Sequence, residues 1–148
     1  MADILILVGT ESGNAEMVAT ALKEDLTARG HGVEVLSAFE DPVAFSDRAH
    51  VLICCATHGL GELPDNIIPL SDALTAAPQD LSHLRYGVIA LGDQTYEETF
   101  CNGGKTMDAL FAKMGAERVG ERLEIDACTQ PLPDEEALEW AREWVTLL

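Results

Sequence analysis

Three short stretches of unbroken apolar sequence constrain this chain more than any other feature: Ile4–Val8, Val51–Ala56 and Val88–Leu91. A strand with one wet face alternates polar and apolar residues, whereas an unbroken run suits a strand covered on both faces. Two further runs are interrupted. Val33–Leu36 contains Glu34, and Val119–Ile125 contains Glu121, Arg122 and Glu124. One wet face marks an edge strand, so the first three runs are expected in the middle of a sheet and these two at its borders. Between the runs, apolar residues recur at helical spacing. Ala15, Val18, Ala19, Leu22 and Leu26 form one stripe, closed by Gly30. Asn66–Ala77 reads as a helix with Pro69 in its first turn. Lys105–Met114 reads as a third helix, stopped by Gly115. Asp134 is placed to cap a fourth, whose apolar face carries Leu138, Ala141, Val145 and Leu148.

Strand–helix alternation with doubly buried strands predicts an α/β fold: a doubly wound, five-stranded parallel sheet of order 2-1-3-4-5 with helices on both faces. The 148 residues are expected to form a single domain spanning 1–148, a size that buries roughly 68–70% of the unfolded surface without staples. Ligands in such sheets bind outside the carboxyl ends of the strands, where the order reverses between strands one and three. The loops after Val8, Ala56 and Leu91 are therefore the candidate site.

Charge narrows the partners. The chain holds 26 Asp and Glu against 9 Lys and Arg, a net charge of −17. A nucleic-acid binder needs a cationic face, and an anionic membrane attracts one, so neither is expected as a partner. The amino-terminal stretch has no basic segment and no apolar run long enough for a signal peptide or a membrane span. Cys54 and Cys55 are adjacent within a strand and so point to opposite faces, and no C-x-x-C pair accompanies them. Four reduced thiols in a cytoplasmic protein are expected, with no metal site.

The first loop, Gly9-Thr10-Glu11-Ser12-Gly13-Asn14-Ala15, runs from a strand into a helix N-terminus. Free N–H groups and the helix dipole suit a phosphate there. It is neither a Walker A loop nor a G-x-G-x-x-G clasp, and it contains no cation. The second loop, Ala56-Thr57-His58-Gly59-Leu60-Gly61-Glu62-Leu63-Pro64-Asp65-Asn66, has the glycines and proline of a shaped excursion and brings the ring of His58. The third, Leu91-Gly92-Asp93-Gln94-Thr95-Tyr96-Glu97-Glu98-Thr99-Phe100-Cys101, brings Tyr96 in a very polar setting. One loop suits phosphate and two bring rings.

These three loops, in this order, resemble those of the flavodoxins. The first is similar to the family's hydroxyl-x-hydroxyl-Gly-Asn-hydroxyl signature. The second resembles the flavin-covering loop of short flavodoxins and diflavin reductases, and the third the Gly-Asp…Tyr…Phe-Cys loop. T-H-G-x-G-x-x-P-D-N and the helix bearing Trp140 and Trp144 are most similar to the MioC-type short flavodoxins. The resemblance implies FMN as cofactor. Its phosphate would be held by Thr10, Ser12, Gly13, Asn14 and Ala15, with Glu11 also in the cofactor site. Thr57 would lie near the ribityl chain, His58 would take the inner stacking position and Tyr96 the outer. The carbonyl of Gly59 would turn toward flavin N5 on reduction, with Leu60 and Gly61 completing that loop. Asp93 and Cys101 would contact the pyrimidine edge, Cys101 through its backbone, and Gly92 and Phe100 would also belong to the cofactor site. Two positions depart from the pattern. Ala15 stands where Thr or Ser is usual, which removes a hydroxyl contact worth roughly 0.5–1.5 kcal/mol. His58 stands where Trp or Tyr is frequent and offers less stacking area.

The resemblance further implies an electron carrier rather than a turnover enzyme. It would shuttle single electrons, as a monomer, between a basic NADPH-dependent reductase of the ferredoxin/flavodoxin–NADP type and an acceptor redox enzyme. Glu11, Glu62, Asp65, Asp93, Glu97, Glu98 and Asp126 lie in or beside the three loops or strand five. There they would disfavour a flavin anion and steer a basic partner. A quinone reductase-like enzyme, and a regulatory module with weak or no FMN binding, are the alternatives. A phosphoryl-receiver domain is excluded, because Gly9-Thr10 and Ala56-Thr57 occupy the places where that chemistry needs carboxylates.

Overall fold

The computed structural model describes residues 2–10, 13–41, 43–58, 61–93, 99–127 and 129–148. Along the chain run β1 (Asp3–Gly9), α1 (Asn14–Ala28), β2 (Gly32–Leu36), β3 (His50–Cys55), α2 (Ile68–Ala76), β4 (Arg85–Gly92), α3 (Asn102–Lys113), β5 (Glu117–Arg118), β6 (Leu123–Asp126) and α4 (Pro133–Trp144). The sheet is wholly parallel. β1 lies between β2 and β3, β4 follows β3, and both β5 and β6 pair with β4. The unbroken apolar runs are thus the three inner strands.

The two faces of those strands feed two cores, as period-two geometry requires. Leu5, Leu7, Val51, Ile53, Val88 and Ala90 pack against Leu70 and Leu74 of α2 and Met107 and Phe111 of α3. Ile4, Ile6, Val8, Leu52, Cys54 and Ile89 pack against Val18, Leu22 and Leu26 of α1 and Ala137, Ala141 and Trp144 of α4. Cys54 and Cys55 fall in opposite cores, and no residue of the edge strand β2 is fully buried.

The fifth strand differs from the sequence expectation, for it is two strands and the sheet has six. Tyr86 pairs with Arg118 and Ile89 with Leu123. While β4 advances three residues, the facing chain advances five, so two residues are extruded. Val119 still donates to the Tyr86 carbonyl at 2.8 Å. Gly120 then turns into the left-handed region, φ 72°, which a glycine adopts without steric cost. Two indoles hold the extrusion. Trp144 Nε1 donates to the Val119 carbonyl at 3.1 Å and Trp140 Nε1 to the Glu121 carbonyl at 3.2 Å. The rings stack with centroids 5.7 Å apart.

Asp134 is not the cap of α4. The helix begins at Pro133 with Leu132 as its cap, and Asp134, Glu135 and Glu136 fill the first turn, where carboxylates favour the dipole. Helix α2 starts at Ile68 rather than Asn66, after a turn in which the Ile67 N–H donates to the Pro64 carbonyl at 3.1 Å.

Candidate functional site

Parallel strands bring their carboxyl ends to one edge. Gly9 lies beside Cys55, and Gly92 beside Asp126, so the three loops emerge together.

The first loop enters α1 through Gly13, whose φ of 88° is left-handed. A glycine cap offers no side-chain acceptor, and the N–H groups of Asn14, Ala15 and Glu16 lie in the first turn, where a helix has no acceptor for them. Among the described residues, and leaving aside its chain neighbours, nothing lies within 4 Å of where a Gly13 Cβ would be. Thr10 Oγ1 accepts the Gly13 N–H at 3.0 Å. The Ala15 side chain is buried in the core beside α1, which leaves its N–H as the group it can offer. Glu11 and Ser12 lie outside the described residues.

In the second loop His58 and Glu62 exchange backbone hydrogen bonds of 2.8 and 2.9 Å. They close a tight hairpin with the His58 ring half-buried at its base. Gly59 and Leu60 lie outside the described residues. Gly61, on the returning limb, packs against Thr99 and Asn102, so the second and third loops touch.

In the third loop Asp93, Thr99 and Phe100 are half-buried. Tyr96, with Gln94, Thr95, Glu97 and Glu98, lies outside the described residues. Cys101 is fully buried and left-handed, φ 57°. Its thiol faces inward to the Ala90 carbonyl at 3.4 Å, and burial raises the thiol pKa to about 12. Only the backbone of Cys101 is left for a ligand. Lys105 holds its ammonium 5.8 Å from the Phe100 ring centroid, a cation close to this otherwise acidic end.

Two residues act differently from what their sequence positions suggest. Thr57 spends its hydroxyl on the scaffold, donating to the Leu91 carbonyl at 3.0 Å and accepting the Gly103 N–H at 3.1 Å. Asn66 carries no expected role, yet its amide joins three segments: Oδ1 accepts the Thr10 N–H at 2.8 Å, and Nδ2 donates to Val8 at 2.7 Å and Ser37 at 3.0 Å. Side-chain-to-backbone bonds across 56 and 58 residues leave no periodic trace in sequence. Asp126, counted among the acids of this end, is buried and accepts the Thr129 hydroxyl at 2.8 Å.

A phosphate-ready helix start, a ring-bearing hairpin and a third loop packed on it now share one end of a flavodoxin-ordered sheet. The sequence model of the family described as Flavodoxin matches residues 6–140. The chain belongs to the flavodoxin family. It is 46% identical to Flavodoxin YqcA of Escherichia coli strain K12 over 153 aligned positions, covering 100% of this chain and 99% of that protein. Protein MioC of the same strain is 37% identical over 150 positions, again covering 100% and 99%. Among solved structures, the C101A mutant of a flavodoxin from Pseudomonas aeruginosa superposes with a TM-score of 0.89 at 34% identity, covering 99% of this chain and 98% of that one. This flavodoxin is thus of the short, MioC-like kind. Flavodoxins are FMN-binding electron carriers, and the residues present fit that cofactor. The glycine-capped helix start suits a phosphate dianion, and the ring of half-buried His58 suits a planar face. Among the described residues no helix is long and apolar enough to cross a membrane, and no cluster of His, Cys, Asp and Glu suits a metal ion.

Proposed function

We propose that this flavodoxin is a single-domain, monomeric, cytoplasmic one-electron carrier between a basic NADPH-dependent flavoprotein reductase, of the ferredoxin/flavodoxin–NADP type, and an acceptor redox enzyme. Bound FMN supplies the one-electron chemistry; the chain holds it and sets the field around it. The observation that carries this reading is the convergence of three loops beside a helix N-terminus at the acidic end of the sheet.

In this reading the phosphate is held by the N–H groups and hydroxyls of Thr10, Glu11, Ser12, Gly13, Asn14 and Ala15. His58 covers one face of the ring and Tyr96 the other. Gly59, Leu60 and Gly61 border N5, and Gly92, Asp93, Phe100 and Cys101 border the pyrimidine edge. Thr57 acts by fixing the third loop against the second. The partner meets exposed carboxylates such as Glu16, Glu62 and Asp65. Among them stand the exposed apolar side chains of Met17, Ile68 and Leu132. Each belongs to the N-terminal end of a helix, so all three share the edge with the loops. Acids surrounding a few apolar contacts suit fast, transient docking of a basic surface.

The test is reduction of the FMN-loaded protein under anaerobic conditions, with NADPH alone and with NADPH plus a trace of ferredoxin–NADP reductase. Bleaching of the flavin band only when the reductase is present is expected. Bleaching by NADPH alone, with turnover of a quinone, would establish the enzyme reading instead.

A further inference from the structure

We propose that Asn66 is the positioning residue of the phosphate loop: it touches no cofactor atom, and it fixes the direction of the N–H groups that bind the phosphate. The inference rests on reading the first loop as the phosphate site.

Both Nδ2 hydrogens are committed, to the Val8 and Ser37 carbonyls, and Oδ1 takes the Thr10 N–H. A flipped amide would set its oxygen against two carbonyls and its NH2 against an N–H, so the orientation is unique. The line of bonds then continues. Thr10, pinned at its N–H, accepts the Gly13 N–H on its hydroxyl at 3.0 Å. Gly13 in its left-handed turn then opens α1, whose first-turn N–H groups have no acceptor within the helix. Asn66 thereby anchors this line to the end of β1 and to the exit of β2, two places that the sheet itself holds rigid.

The charge of the protein makes this anchor matter. The loop from Gly9 to Ala15 contains no Lys or Arg, in a chain of net charge −17. A cationic side chain can follow a displaced phosphate, but a fixed set of N–H dipoles cannot, so its stabilisation depends on preorganisation. Loss of the anchor is therefore felt by the phosphate and not by the flavin ring.

The test compares FMN with riboflavin, which lacks the phosphate, on the flavin-free full chain. The unaltered chain should bind FMN far more tightly than riboflavin. Asn66→Ala should cut that preference by at least about tenfold, the effect of roughly two neutral hydrogen bonds, and leave riboflavin affinity within about twofold. Gln79→Ala, which removes an equally long-range amide clip to the Phe45 N–H and the Val43 carbonyl away from the three loops, should leave the preference unchanged. If the unaltered chain shows no preference for FMN, the phosphate reading of the loop fails. If it prefers FMN and Asn66→Ala keeps the full preference, or weakens both ligands equally, the role of Asn66 is overturned. A second measurement needs no substitution. The Thr10 amide of the flavin-free chain should exchange with solvent as slowly as strand amides, and rapid exchange there contradicts the anchor.

Discussion

The Thr57 hydroxyl accepts the N–H of Gly103 at 3.1 Å and so ties the end of β3 to the first turn of α3, 46 residues later. The two backbones are in direct contact here, since a Cβ on Gly103 would overlap the Ala56 carbonyl. The same hydroxyl donates to Leu91 at the end of β4. Thr57→Val keeps the shape and leaves backbone groups of two buried residues, Leu91 and Gly103, without their partner, at a cost of about 1–3 kcal/mol. Thr57→Ser, which keeps the hydroxyl, should lose less than half of that. Urea unfolding of the flavin-free protein measures both, and equal losses would mean that packing of the methyl, not the hydroxyl, is what matters.

Asp108 should govern acid stability. Arg118 and Arg122 each place a guanidinium nitrogen 2.6 Å from its Oδ2, and the Tyr86 hydroxyl lies 2.6 Å from Oδ1. Burial works to raise the Asp108 pKa, but these three donors outweigh it and hold the group below its ordinary 3.8. The unfolded chain therefore takes up the proton first as pH falls. The stabilisation is complete above pH 3.8 and is lost as pH drops through the lower folded value. Asp108→Asn should lower stability at neutral pH by about 2–3 kcal/mol, less than a fully buried pair would lose because both arginines are partly solvated. It should also flatten the fall of stability below pH 4. An unchanged acid slope in the variant would place the titrating group elsewhere.

His58 sets the stacking area. Aromatic pairs gain about 0.5–1.5 kcal/mol beyond burial, so His58→Tyr should tighten FMN by roughly twofold to tenfold. Fluorescence titration measures this, and riboflavin should gain as much as FMN. A substitution that changes neither ligand would take His58 off the flavin face.

Acidity should appear as salt dependence. A unit charge about 10 Å away through water costs roughly 0.4 kcal/mol, or about 20 mV for one electron. Glu62 and Asp65 are exposed at this end, whereas Asp126 is buried and bonded within its own loop. The potential of the second electron should rise with ionic strength, and the electron-transfer rate with a basic reductase should fall. A potential indifferent to salt would remove the surface acids from the account.

The inner strands were legible because burial on both faces writes itself as unbroken apolar sequence, as in Ile4–Val8. The interrupted runs around Glu34 and Arg122 likewise mark the edges. The break in the fifth strand was hidden. Val119, Leu123 and Ile125 keep a strand-like spacing through it, and the partners that stabilise it, Asp108, Trp140 and Trp144, lie on other helices. The start of α1 after Gly13 was readable from the hydroxyls and glycines that precede it. The roles of Asn66 and Thr57 were not, since one amide or hydroxyl bonding to distant backbone has no signature in residue type or period.

If the three loops form an FMN site, titration of the flavin-free full chain with FMN reveals it. Flavin fluorescence should be quenched and saturate at one FMN per chain, with the yellow complex surviving gel filtration. A chain that stays colourless and leaves FMN fluorescence unchanged would mean that the three loops hold no flavin.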